Sequence, residues 1–248
     1  MPAPYRYFVL AEFILAALTM AGLRFIVAPY GRHNRPGWGP SIPARLGWLV
    51  MEAPASLLVA YFFATGANRA SLVPLLLLAL WQIHYVHRAF VYPFRLRGGT
   101  RMPLAVAAMA FAFNLLNAYV NGMWIGHYGS YPTSWLADPR FLIGVLLFAG
   151  GLALNLRSDR ILRALRRPGE SGYKIPQGGP YRWVSSPNYL GEIVEWLGWA
   201  LATWSFAGLA FAVYTIANLA PRALANHRWY QSEFPDYPDR KALLPYLW

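Results

Sequence analysis

Seven apolar runs follow one another along the chain, at residues 8–27, 46–63, 72–94, 102–124, 141–156, 189–204 and 206–219. Most approach the ~20 residues that a helix needs to cross a bilayer. The pattern predicts an all-α integral membrane protein, a bundle of seven transmembrane helices. The last two runs are short and part only near residues 203–206, which predicts a tight helical hairpin. The stretch leading into the first run carries only Arg6 as a cation, and the run is one of seven similar segments, so it reads as a retained helix and not a cleaved signal. No linker is long enough to set off a second unit, so residues 1–248 read as a single membrane domain.

Polar residues in these runs and across their ends recur at helical spacing. Tyr85, Arg88, Tyr92 and Arg95 fall at i, i+3, i+7 and i+10, with Gln82 extending the same face. Asn155, Asp159, Arg163 and Arg166 fall at i, i+4, i+8 and i+11. Asn188, Glu192 and Glu195 form a third stripe, and Arg222, Asn226 and Tyr230 a fourth. Glu52 stands alone near the start of the second run. A charge at mid-membrane costs about 2.5–3.5 kcal/mol on insertion scales. Pairing between helices, such as Arg88 with Glu192, would relieve single residues. A polar cavity at one end of the bundle relieves all the stripes at once.

Composition supports the membrane reading: 57% of residues are hydrophobic and 13% charged, roughly half the charged fraction of soluble domains. The net charge of +12 suggests nucleic acid until its distribution is considered. With the N-terminus outside, the inside segments hold Arg32, Arg35 and Arg45; Arg95, Arg97 and Arg101; seven cations from Arg157 to Arg182, Arg167 and Lys174 among them; and Arg222, Arg228, Arg240 and Lys241. The outside segments hold Arg6, Arg69 and Arg140. This is the asymmetry of the positive-inside rule, and it predicts no nucleic-acid partner. The seven cations of the third inside segment exceed what orientation requires. Twenty arginines against two lysines point to a GC-rich genome and so to a bacterial inner membrane; in a eukaryote the endoplasmic reticulum would take its place.

Arginines beside Asn, Asp and Tyr suit a ligand with phosphates, ribose hydroxyls and a planar base. No G-x-G-x-x-G follows a strand and no P-loop is present, so the nucleotide site belongs to neither class. The chain has no cysteine, which excludes disulfides and thiolate chemistry. His84 and His87 could share a helix face, but no further ligand has suitable spacing; they read as locally bonded histidines, and no metal is expected.

Four segments carry a resemblance: HYVHRAFVYP (84–93), LRRPGESGYKIPQGG (165–179), SPNYLGEIVEWLGWALATWS (186–205) and the closing HRWYQSEFPDYPDRKALLPYLW (227–248). In this order they resemble the steroid 5α-reductases, the 3-oxo-5α-steroid 4-dehydrogenases. The likeness implies an NADPH-dependent membrane oxidoreductase that reduces the Δ4 double bond of 3-oxosteroids. It implies a catalytic pair at Glu52 and Tyr85. It implies cofactor contacts at Tyr92, Arg95, Asn155, Asp159, Arg163, Arg166, Tyr173, Asn188, Glu192, Arg222, Asn226 and Tyr230, and a substrate contact at Trp48. Two positions depart from the family's habit. Met51 stands where glutamine is frequent beside the substrate, and Asn226 where histidine can contact the cofactor.

Helices one to four (residues 1–124) would then line a steroid pocket entered from the lipid. Residues 125–248 would form most of the NADPH site, and no obligate protein partner is implied. An enone takes hydride at its β-carbon when its carbonyl is polarised, and Glu52 with Tyr85 suits that task. Related enone or enoyl reductases and isoprenylcysteine-type methyltransferases are alternatives within enzymes. A transporter using Glu52 and Arg88 as a proton relay is the alternative outside them, but it predicts repeated halves, and the chain has none.

Overall fold

The computed structural model describes residues 2–96, 101–166, 170 and 172–248; Arg97 and Arg167 of the inside cations lie outside the described residues. Seven α-helices are present among them: α1 (Ala3–Phe25), α2 (Ala44–Ala64), α3 (Leu72–Val86), α4 (Leu104–Met123), α5 (Pro139–Ala164), α6 (Pro187–Thr203) and α7 (Phe206–Glu233). Each coincides with one of the apolar runs. Five of them, α1, α2, α4, α5 and α7, are long and apolar enough to cross a membrane. The chain is an integral membrane protein by that measure. The 15-residue α3 and the 17-residue α6 are shorter. A π turn, His87–Val91, prolongs the path of α3 and closes on the bond from Tyr92 N to His87 O, 2.8 Å.

Prolines mark where helices begin. Pro139 and Pro187 open α5 and α6, and Pro43 and Pro103 stand just before α2 and α4. A proline there loses no helical hydrogen bond, because the first turn has no acceptor for that N–H. Between α6 and α7, Trp204 adopts a left-handed backbone (φ 43°) and Ser205 caps α7 by accepting from Gly208 N at 3.0 Å. That is the predicted hairpin.

The tightest packing is between α5 and α6, which run antiparallel. Gly144 and Gly151 on α5 face Gly198 and Gly191 on α6. The glycines are seven apart on each helix, so they line one seam and let the backbones touch. A Cβ at Gly151 would stand 2.5 Å from Gly191 O, and one at Gly191 2.5 Å from Asn155 N. Aromatic rings fill the middle of the bundle. Trp81 of α3 meets Trp196 and Trp199 of α6 at 5.3 and 5.0 Å and donates to Ala55 O of α2 at 2.7 Å. The first and last helices, α1 and α7, pack side by side.

The fold is not purely helical. Residues Ser41–Pro43 (β1) pair antiparallel with Arg101–Pro103 (β2), Ile42 opposite Met102. This short ribbon ties the first loop to the residues before α4, where the hydrophobic pattern had the fourth helix beginning at Met102. The closing segment folds back on residues 183–186, with Ser185 N bonding Lys241 O at 2.8 Å. Buried Arg240 donates to the carbonyls of Pro176 (3.1 Å) and Tyr181.

Candidate active site

Helix alternation brings the C-terminal ends of α1, α3, α5 and α7 to one end of the bundle, and there a cavity of ≈ 170 Å³ opens. Its walls include Arg32, Tyr92, Asp159, Arg163, Arg166, Tyr173, Lys174 and Tyr230. Six of these were expected from the sequence: Tyr92, Asp159, Arg163, Arg166, Tyr173 and Tyr230. Arg32 and Lys174 were not. Arg32 lies over the rings of Tyr230, Trp229 and Tyr173 at 4.3, 5.0 and 5.4 Å, and Arg166 over Tyr173 at 4.4 Å. The Nη1 of Arg32 is buried with no hydrogen-bond partner among the described residues. Arg32 sits in a glycine- and proline-rich loop without periodicity, so no stripe could mark it. Arg95 is exposed and does not line the cavity.

Deeper in the bundle the stripes close into a ring. Arg88 faces Asp159 of α5 at 3.7 Å and Glu192 of α6 at 3.8 Å. These separations are ion pairs too long for good hydrogen bonds. Asn155 donates to Asn188 O at 3.0 Å and to Glu192 at 3.4 Å, and Asn188 donates to Asp159 at 3.2 Å. The glycine seam of α5 and α6 is what brings these four side chains together. The guanidinium of Arg88 also stacks on Trp48 (4.5 Å) and Tyr92 (4.6 Å). The expected Arg88–Glu192 pairing is therefore present, but as part of a larger network.

Arg222 and Asn226 hold the first loop against α7. Arg222 donates to Tyr189 Oη at 3.1 Å and lies 4.4 Å over Tyr30. Asn226 Oδ1 is 3.0 Å from His33 Nε2. Burial lowers the pKa of His33 below the usual imidazole value, with Arg32 and Arg35 acting the same way. Its ring is neutral near pH 7, with the proton on Nε2 donated to Asn226.

Glu52 of α2 and Tyr85 of α3 are linked through one face of α4. Both take hydrogen bonds from asparagines of α4. Asn114 donates to Met51 O at 2.7 Å and to Glu52 Oε2 at 3.3 Å, and Asn117 donates to Tyr85 Oη at 3.4 Å. Asn121 donates to Asn117 Oδ1 and accepts from Trp199 Nε1, each at 2.8 Å. These asparagines were missed, although 114, 117 and 121 fall at i, i+3 and i+7. Their backing of Tyr85 matters: a phenol whose oxygen accepts from Asn117 keeps its own O–H free to donate. The side chain of Met51 packs with Ala44, Met102 and Ala107, beside Trp48. Of the two histidines weighed as ligands, His84 is 2.8 Å from Glu195.

The sequence matches known proteins. A profile of the 3-oxo-5-alpha-steroid 4-dehydrogenases fits residues 100–248. A steroid 5-alpha-reductase of Gossypium hirsutum is 45% identical over 98% of this chain and 97% of its own. A 3-oxo-5-alpha-steroid 4-dehydrogenase 1 of Homo sapiens is 45% identical over 88% of this chain and 85% of its own.

The chain belongs to the steroid 5α-reductase family.

Its relatives are named as oxidoreductases, and membership makes this chain one. The profile spans the α4 asparagines, the α5–α6 pair and α7. Glu52, Tyr85 and Arg88 lie before it, within the 98% of the chain aligned to the steroid 5α-reductase of Gossypium hirsutum.

Proposed function

We propose that the protein reduces the Δ4 double bond of 3-oxosteroids with NADPH, giving 5α-3-oxosteroids. The carrying observation is the cation- and tyrosine-lined cavity, which shares Asp159 with the Arg88 network, together with Glu52 and Tyr85 held by the asparagines of α4. A nicotinamide nucleotide fits the residues present. Arg32, Arg163, Arg166 and Lys174 are suited to its phosphates, and Arg32 has a buried N–H with no acceptor among the described residues. Tyr92, Tyr173 and Tyr230 offer ring faces, and Asp159, Asn155, Asn188 and Glu192 accept from or donate to hydroxyls and amides. Arg222 and Asn226 hold Tyr189 and the first loop in place around it. When bound, NADPH supplies a hydride.

Tyr85 donates its O–H to the steroid carbonyl, and Glu52, carrying a proton in this role, donates beside it. As the β-carbon gains hydride, negative charge grows on the carbonyl oxygen. Donors already in place there stabilise the transition state more than the ground state. A proton at the α-carbon completes the reduction. Trp48 and Met51 border the substrate on the α2 side, and the steroid enters from the lipid. Residues 1–124 form most of that pocket and 125–248 most of the nucleotide site. All seven helices cross the bilayer in this reading. The N-terminus is outside and the cavity opens inside, in a bacterial inner membrane.

Purified protein in detergent tests the reading. NADPH absorbance should fall only when a 4-ene-3-one steroid is added. NADPH loss without steroid, or none with any of several 4-ene-3-ones, would overturn it.

A further inference from the structure

Glu12 is a second carboxyl on an apolar helix, and neither the Arg88 network nor the Glu52–Tyr85 pair uses it. The inward face of α1 reads Tyr5, Val9, Glu12 and Ala16, all buried. Glu12 is 0% exposed, and neither carboxyl oxygen has a hydrogen-bond partner or ion pair among the described residues. An unsatisfied buried carboxyl costs several kcal/mol, so the site is unfavourable until something polar arrives. Its neighbour on the same face of α1, Val9, belongs to a mostly apolar cluster with Val120 of α4 and Ala207 and Ala210 of α7, in which Tyr5 is a polar member whose O–H is already given to Val120 O at 2.9 Å. Whatever meets Glu12 must be an apolar body with one hydrogen-bonding group.

Depth identifies that body. Glu12 is thirteen residues from the cavity end of α1 at Phe25, and Glu52 eight from the cavity end of α2 at Ala44. At the rise of an α-helix these are roughly 20 and roughly 12 Å, so Glu12 lies roughly 8 Å further from the cavity. It is also within electrostatic reach of Tyr85 and of Tyr214, whose ring stacks on Phe113 of α4 at 3.6 Å. A fused-ring steroid held by its carbonyl at Tyr85 and Glu52 points its far end towards this depth.

We propose that Glu12 is a specificity residue that accepts a hydrogen bond from a hydroxyl on the steroid's ring-D end, opposite the enone. The inference rests on the reductase reading above. It selects substrates by their distal oxygen and leaves the polarising donors at Tyr85 and Glu52 unaltered.

The test compares kcat/KM for a 4-ene-3-one steroid bearing a ring-D hydroxyl with that for its deoxy analogue. Wild type should favour the hydroxylated steroid about ten-fold, the value of one net hydrogen bond to a buried group. Glu12→Leu should abolish or reverse that ratio. Glu12→Gln, whose amide oxygen still accepts, should retain most of it. An unchanged ratio in Glu12→Leu overturns the proposal whatever the absolute rate. Equal efficiency of wild type on both steroids overturns it without any variant. Wild type that reduces neither steroid overturns instead the reductase reading beneath it.

Discussion

Tyr85 and Glu52 owe their usefulness to the asparagines behind them. Asn117 occupies the Tyr85 oxygen and leaves its proton to give away, while Asn114 ties Glu52 to α4. Under the proposed mechanism Tyr85→Phe and Glu52→Ala should each lower turnover by ~10²–10³, the usual loss for one donor to a developing oxyanion. NADPH affinity, read by titration, should stay as it was. Fully active variants would leave both residues as structural partners of Arg88 and α4. Glu52→Gln separates two roles: retained activity means hydrogen bonding suffices, whereas loss as deep as in the alanine variant points to the proton. At the cavity, Arg166→Ala should weaken NADPH binding about ten-fold or more, since charge-assisted bonds contribute about 1.5–3 kcal/mol. Arg32→Ala should do likewise through its buried N–H; unchanged affinity in both would remove the nucleotide from this cavity. Glu52, Arg88, Glu192 and Glu195 were legible in the sequence because a charge is costly in an apolar run; Glu12, no less buried, was overlooked. The α4 asparagines were not, because a neutral amide is a weaker anomaly, and Arg32 was not, because its loop has no repeat.

Helices were legible because hydrophobic runs of near-membrane length leave little choice of structure. Their contacts were less so. The stripes Asn155/Asp159 and Asn188/Glu192 were visible, but which stripe faces which depends on the glycines at 144, 151, 191 and 198. The ribbon of β1 and β2 was invisible, since three-residue strands beside prolines carry no alternation. The glycine seam makes a distinct prediction. Gly151→Leu puts a side chain where Gly191 O already lies, and overpacking of this kind typically costs about 1–3 kcal/mol. The variant should melt at a lower temperature in detergent. It should also lose nucleotide affinity, because α5 and α6 carry the Asn155, Asp159 and Glu192 groups on opposite sides of the seam. A control at Gly150, where an added Cβ meets nothing within 4 Å, should show neither effect as Gly150→Ala. Equal behaviour of the two variants would remove the seam as the organiser of the site.

At the scale of the whole molecule, the number of crossings decides which compartment the cavity faces. The cavity lies where α1, α3, α5 and α7 end, and most cations of the loops gather at that end. Seven crossings put the N-terminus on the opposite side, and the positive-inside rule then puts the cavity in the cytoplasm. If α3 and α6 failed to cross, the loops would be divided between the two sides differently and the cavity could not form from the ends of α1, α3, α5 and α7. The absence of cysteine from the sequence makes the test clean. Ser130, exposed between α4 and α5, and Ser232, exposed in the last turn of α7, should report on opposite faces. An impermeant thiol reagent should label Ser130→Cys only in right-side-out vesicles and Ser232→Cys only in inverted ones. Labelling of both from one side would break the seven-span arrangement. Labelling from opposite sides in the reverse sense would keep seven spans but turn the cavity away from the cytoplasm, and so from the NADPH that the proposed reaction consumes.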